Sequence, residues 1–249
     1  EDLFDIGALA NDLLTPGRVP QSKIHTCLRE TSDQKLYGVS HCTAPPPGEE
    51  LFEVVGTYGD PVFGYRGSYM FCYDLVTEAV SLVGLAIPNE GCRNMVIDET
   101  AGTAYLISYP KHHLRSFDMA SKEGRDLGRL GTLGSCDLLR DRNGRVYSSL
   151  DSGQLVRYDP TSERLETLQV SVPGSPRRRS PHNFMFMPFV GPDGLFYGTT
   201  YYDSHLWCYD PYDGPEGRMT DLGPGLGREV AADEWAAAYL QAPRMAANG

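Results

Sequence analysis

Apolar and polar positions alternate along most of this chain in short runs that Gly, Pro and Asp interrupt. Between residues 92 and 128 an apolar run from Arg93 to Asp98 meets a polar turn at Glu99 to Thr103, and a second run ends at Tyr109. His113–Asp118 then carries a hydrophobic-aromatic-Asp signature, and a further turn leads to a stretch ending in Asp-Leu-Gly. Alternation of period two over such lengths predicts four short strands rather than helices. The same order recurs at 23–84, 135–169 and 181–223, and the third-strand aromatics Tyr73, Phe117, Tyr158 and Tyr209 stand 44, 41 and 51 residues apart. Four strands repeating every 40 to 50 residues or so predict an all-β chain, a β-propeller with four four-stranded blades. A single blade cannot bury both faces, so neighbours must pack around a channel.

The ends do not continue the pattern. Residues 1–20 read as the end of a preceding blade, and residues 224–249 start no further one, with EWAAAYL looking helical. An open ring leaves unpaired sheet edges. The expectation for residues 1–249 is therefore one propeller domain or fragment, an incomplete arc of a larger propeller of about seven blades.

One repeat is longer than the rest. From the second-strand Tyr to the third-strand aromatic the chain runs 36 residues in the first repeat and 12, 11 and 12 in the others. The excess is CTAPPPGEELFEVVGTYGDPVFGY, which contains Phe52, Tyr58, Phe63 and Tyr65. Long insertions in compact domains tend to be functional, and an aromatic-rich one suits covering a pocket. Before the fourth repeat, Arg177, Arg178 and Arg179 read as a solvated basic loop, with a place near the channel rim as the other reading.

Strands alternate in direction within a blade, so the start of the first and the end of the second share one face. Aligning the repeats puts His25, Arg93, Cys136 and His182 at first-strand starts, and His41, Tyr109, Asp151 and Tyr201 at second-strand ends. Packing residues recur alike from copy to copy, whereas these differ, as contributors to one shared site would. A wet channel mouth is the plainer alternative. Tyr69, His113, Gln154 and His205, each four residues before a third-strand aromatic, form a second set expected to cap that strand or bond to a neighbouring blade.

Charge narrows the partners. With 22 basic against 33 acidic residues the net charge is −11, which argues against nucleic acid but leaves room for a local basic pocket. No stretch is apolar enough to predict a membrane-spanning helix. The six cysteines form no C-x-x-C pair and read as buried free thiols. The chain begins with Glu and shows no signal peptide, which points to processing or truncation of the start. A soluble protein is expected, and its compartment stays open, secreted or periplasmic being among the alternatives.

KIHTCL and KLYGVSH in the first repeat, followed by Y-P-x-x-H-L-x-x-F-D and G-x-L-x-R-Y-D-P, resemble a group of propeller polysaccharide lyases. These are the ulvan and rhamnose–glucuronate lyases, with oligogalacturonate lyases more distantly similar; the likeness covers about residues 20–223. The resemblance implies cleavage of uronic-acid-containing polysaccharides or oligosaccharides by β-elimination. His25 and His41 match the paired His of that group, while Arg93 and Tyr109 occupy places from which it draws catalytic groups. Arg93 would neutralise the carboxylate, and a Tyr or His would move the proton. His182, Tyr201, Tyr65 and Arg66 are expected to bind an acidic carbohydrate, and Arg93 and His41 are expected to be replaceable with little effect on folding if they stand at the channel rim. No cofactor is expected; a divalent metal on His25, His41 and His182 is the alternative, without close His spacing to support it. Two other functions stay open: a non-catalytic propeller binding a ligand or protein on the same face, and a glycoside hydrolase, which wants two facing carboxylates where only Asp151 is available. The sequence leaves the oligomeric state undefined.

Overall fold

The computed structural model describes residues 4–11, 19–42, 64–131, 137–174, 184–201 and 203–228. They form four antiparallel sheets, each a meander of four strands in chain order. The first blade is β1 (Lys23–Glu30), β2 (Lys35–His41), β3 (Gly67–Asp74) and β4 (Val80–Pro88). The second is β5 (Gly91–Asp98), β6 (Thr103–Tyr109), β7 (His113–Asp118) and β8 (Glu123–Arg129). The third is β9 (Leu139–Arg140), β10 (Val146–Ser149), β11 (Gln154–Asp159) and β12 (Arg164–Ser171). The fourth is β13 (Met185–Val190), β14 (Phe196–Thr200), β15 (His205–Asp210) and β16 (Arg218–Pro224). This is the all-β blade architecture of a β-propeller. The chain divides into two compact units, Glu1–Arg129 and Leu130–Gly249, each holding one pair of blades.

The aromatic-Asp signature has two separate causes. The aromatics Tyr73, Phe117, Tyr158 and Tyr209 are buried, at most 6% exposed. The aspartates that follow close the turn to the fourth strand. Asp74 accepts from the N–H groups of Val76 and Thr77, Asp118 from Ala120 and Ser121, and Asp159 from Thr161 and Ser162. Asp210 does the same for Tyr212. Side-chain-to-backbone bonds of this kind favour Asp in turns. The turns then pass through a left-handed residue, Glu78, Lys122, Glu163 or Gly217.

Each unit has its own core. In the first, Val39, Met70 and Ile87 of one blade meet Met95, Leu106 and Phe117 of the next. In the second, Leu139, Tyr147 and Leu155 meet Met185, Phe196 and Trp207. Two blades use a glycine to admit a cross-strand ring. Gly38 pairs with Phe71 and Gly198 with Trp207, and a Cβ at either glycine would overlap the ring.

Two expectations change. Residues 6–11, read as the end of a preceding blade, are a short helix, α1 (Ile6–Asn11), whose first N–H groups at Gly7 and Ala8 bond to the Asp5 carboxylate. Just before it, Phe4 packs edge-on to Phe71 at 4.9 Å. The third-strand set does not reach neighbouring blades through these contacts. His113 bonds to Asp126 at 2.8 Å, His205 to Asp221 at 3.1 Å and Gln154 to the Leu168 carbonyl at 2.7 Å, each on the fourth strand of its own blade. The EWAAAYL segment, most of the insertion and the Arg177–Arg179 loop lie outside the described residues.

Gly38→Ala is expected to destabilise the chain by about 1–3 kcal/mol through overpacking against Phe71. Phe71→Leu in the same chain should recover part of the loss, so a denaturation double-mutant cycle should show less than additive costs. Additive losses would mean that the ring does not set the requirement for glycine.

Candidate functional site

Alternate residues of β1 point toward β5. Arg29 donates to Asn94 Oδ1 at 2.8 Å, and His25, four residues earlier on the same side, meets Arg93. Arg93 Nη1 lies 3.0 Å from His25 Nε2, and His25 Nδ1 lies 3.4 Å from the Arg93 carbonyl oxygen. A guanidinium can only donate, so Nε2 must accept and the imidazole proton sits on Nδ1, facing the carbonyl. Burial first, and then the adjacent guanidinium, lower the pKa of His25 from its ordinary value.

The Arg93 guanidinium also covers the ring of Tyr109, 4.1 Å from its centroid. A cation over an aromatic face is attracted by the ring quadrupole, and the contact orients the side chain. His41 stands edge-on to both flanking rings, 5.6 Å from His25 and 5.6 Å from Tyr109. The four residues expected to be catalytic thus form one cluster inside the first unit.

Their exposures differ, and here the rim expectation fails for one of them. His25, Arg93 and Tyr109 are half-buried, but His41 is 0% exposed. Its ring lies against Gly91, where a Cβ would overlap the imidazole. Neither of its ring nitrogens has a hydrogen-bond partner among the described residues. Burial, followed by the positive charge of Arg93, brings its pKa down to about 3. His41 is a neutral wedge behind the cluster, so its replacement does bear on folding.

The expected substrate-binding residues divide. Tyr65 is 1% exposed and its hydroxyl donates to Gln21 Oε1 at 2.5 Å, which commits it to the interior. Gln21 also accepts from Ser40 and donates to the Gly67 carbonyl, so this amide pins the chain on either side of the insertion. Tyr65 packs with Val19, Cys42 and Tyr109. Arg66 is exposed. Tyr201 belongs to the second unit, where it stacks on Phe184 at 4.8 Å. His182 and Cys136 lie outside the described residues, and Asp151 is half-buried.

His112 escaped the sequence reading. It is 3% exposed, lies edge-on to Tyr109 at 5.9 Å, and occupies the left-handed region with φ of 55°. The signal available was its place in YPKHHL, in the turn between two recognised strands. Beside it Lys111 forms an ion pair with Glu90 at 3.0 Å. Of the imidazoles considered for a metal, His25 has its Nε2 occupied by Arg93, and His182 lies outside the described residues. Among the described residues no group of three His, Cys, Asp or Glu is arranged to hold an ion. The turns at the other ends of these strands line a separate cavity of about 290 Å³ with Thr31, Asp33, Tyr37 and Glu99. No helix among the described residues is long and apolar enough to cross a membrane.

No described protein family and no curated protein matches the chain. Among solved structures it is similar to an auxiliary nutrient binding protein from Bacteroides thetaiotaomicron, with 16% identity and a TM-score of 0.51 over 81% of this chain and 41% of that one. It is also similar to a catalytically inactive virginiamycin B lyase from Staphylococcus aureus with quinupristin, at 9% identity and a TM-score of 0.53 over 82% of this chain and 57% of that one. The chain therefore spans less than two thirds of either relative. At these identities the likeness is one of fold, and the fold is the β-propeller.

The depressed pKa of His41 has a consequence for stability. On unfolding the ring returns to its ordinary value of 6.5, so between that pH and about 3 the unfolded chain binds a proton that the folded chain does not. Stability present above the upper value is lost as pH falls through this window, by about 1.4 kcal/mol per pH unit for this group. His25 contributes in the same direction. His41→Phe, which keeps a ring but removes the titration, should make stability from urea denaturation fall less steeply as pH drops from about 6 to 4. Equal slopes for the two proteins would contradict a neutral, buried His41.

Proposed function

We propose that the His25–Arg93–Tyr109 cluster binds the carboxylate of an acidic sugar and that the chain belongs to a lyase cleaving uronic-acid-containing carbohydrates by β-elimination. The observation that carries this reading is the pose of Arg93, fixed over the Tyr109 ring at 4.1 Å and bonded to a His25 nitrogen that can only be an acceptor. A guanidinium presents a planar fork that suits a carboxylate, and here it is oriented before any ligand arrives.

Elimination starts with removal of the proton next to the carboxylate. Negative charge then builds on a group already anionic, and a preorganised cation offsets it. Tyr109 is the group we assign to proton transfer. Its ring lies under the Arg93 guanidinium, and it is half-buried rather than sealed. As phenolate it would take the C5 proton while the electron pair moves toward the carboxylate and then expels the 4-linked oxygen. The same proton can pass on to that leaving oxygen. His25, with both ring nitrogens engaged, is a positioning residue for Arg93. His41, fully buried, holds the cluster from behind.

Incubation with a panel of uronic-acid polymers should yield an unsaturated product that absorbs in the near ultraviolet. Tyr109→Phe should lower turnover by roughly 10²–10⁴-fold with little change in binding. Arg93→Ala should lower turnover and weaken binding, and Arg93→Lys should rescue only in part, since it offers a point charge instead of a fork. Saturable binding without product would favour a non-catalytic carbohydrate-binding propeller. Full activity with both residues replaced would remove the site.

A further inference from the structure

Cys27 on β1 and Cys92 on β5 face each other across the seam between the first two blades, 65 residues apart in sequence. Their sulfurs are 3.5 Å apart, with the Cys27 thiol donating to Cys92 Sγ and the Cys92 thiol donating to the Asn94 carbonyl at 3.4 Å. Both residues are 0% exposed. Contacts on either side hold the two strands in register, His25 to Arg93 at one end and Arg29 to Asn94 at the other. A disulfide bond is about 2.05 Å long, so closure needs the sulfurs to approach by about 1.5 Å, within reach of side-chain rotation with slight strand adjustment.

The other described cysteines have different company. Cys72 pairs across strands with Tyr37, Cys208 pairs with Tyr197, and Cys42 packs with Val19 and Tyr65. Thiol-to-thiol contact singles out one pair.

We propose that Cys27 and Cys92 are a redox pair that closes to an inter-blade disulfide when the chain folds in a thiol–disulfide buffer. The chemistry is two successive exchanges with a small disulfide such as oxidised glutathione. One cysteine thiolate attacks a glutathione sulfur and displaces the first glutathione thiolate. The second cysteine thiolate then attacks the mixed disulfide and displaces the other. Two protein thiols are oxidised, one glutathione disulfide is reduced to two thiols, and the two protein protons end on the released glutathiones. Because burial closes the seam to reagents, the exchange belongs to the folding chain, before β1 docks on β5. Once formed, the bond is sheltered by the same burial. It ties together the strands that carry His25 and Arg93, whatever ligand that cluster takes.

The test compares full-length chain refolded in mixed oxidised and reduced glutathione with chain refolded in excess dithiothreitol. After alkylation and a non-reducing digest, mass spectrometry should find two of the six thiols protected and a peptide containing Cys27 joined to one containing Cys92. The oxidised chain should melt about 5–10 °C higher than the reduced one. Cys92→Ser should lose both the joined peptide and the difference in melting temperature. Alkylation of all six thiols after oxidative refolding would overturn the proposal, as would linkage of Cys27 or Cys92 to any other cysteine. The wild-type peptide map decides between these outcomes even if the variant does not fold.

Discussion

Backbone hydrogen bonding within each blade ends at its first and fourth strands, so neighbouring blades must be joined by side chains. In the first unit that joint is the seam in which alternate residues of β1 meet β5, His25 on Arg93, Cys27 on Cys92 and Arg29 on Asn94. All three meet β5 even though the register of β1 is irregular between Ile24 and Leu28, so the contact that fixes the Arg93 guanidinium also joins the blades. The second unit solves the problem with other chemistry. Ser149 and Asp137 accept from the Met185 and Met187 N–H groups, while Arg145 and Arg157 donate to the carbonyls of Pro211 and Pro215. Carbonyls and N–H groups that the sheets leave over are thereby put to use.

The seam also shapes the electrostatics of the cluster. Burial first, and then the guanidinium beside them, lower the proton affinity of both imidazoles, because a second positive charge in a partly dry setting is costly. A ligand carboxylate at Arg93 would cancel much of that field. Were an anion bound there, its affinity and the proton affinity at His25 would be linked, each strengthening the other.

The blades were legible because their signatures are local. An aromatic followed by Asp encodes a buried ring and a self-closing turn within a few residues, and Asp74, Asp118, Asp159 and Asp210 all act this way. Repeat position was enough to bring His25, His41, Arg93 and Tyr109 together, since equivalent places in adjacent blades are adjacent in space. Depth was not legible. The burial of His41 depends on the missing side chain at Gly91, on another blade, and that of Tyr65 on a hydroxyl reaching Gln21. Nor does spacing say which neighbour a side chain reaches. His113 and His205 turn to aspartates on their own fourth strands, a choice made by the partner's sequence rather than theirs. The helix at Ile6–Asn11 was missed because six residues hold too little periodicity to outweigh the repeat around them.

The outer hairpins carry one more consequence. In the first three blades each is closed by its own aspartate and a left-handed residue. In the first blade the residues held between these two points face solvent, Val76 at 68% exposure. Such loops are natural ports for engineering. A spectroscopic label or a grafted peptide epitope set between Asp74 and Glu78, or at the exposed Ala120 and Ser121, would be displayed from a base that its own turn bonds hold.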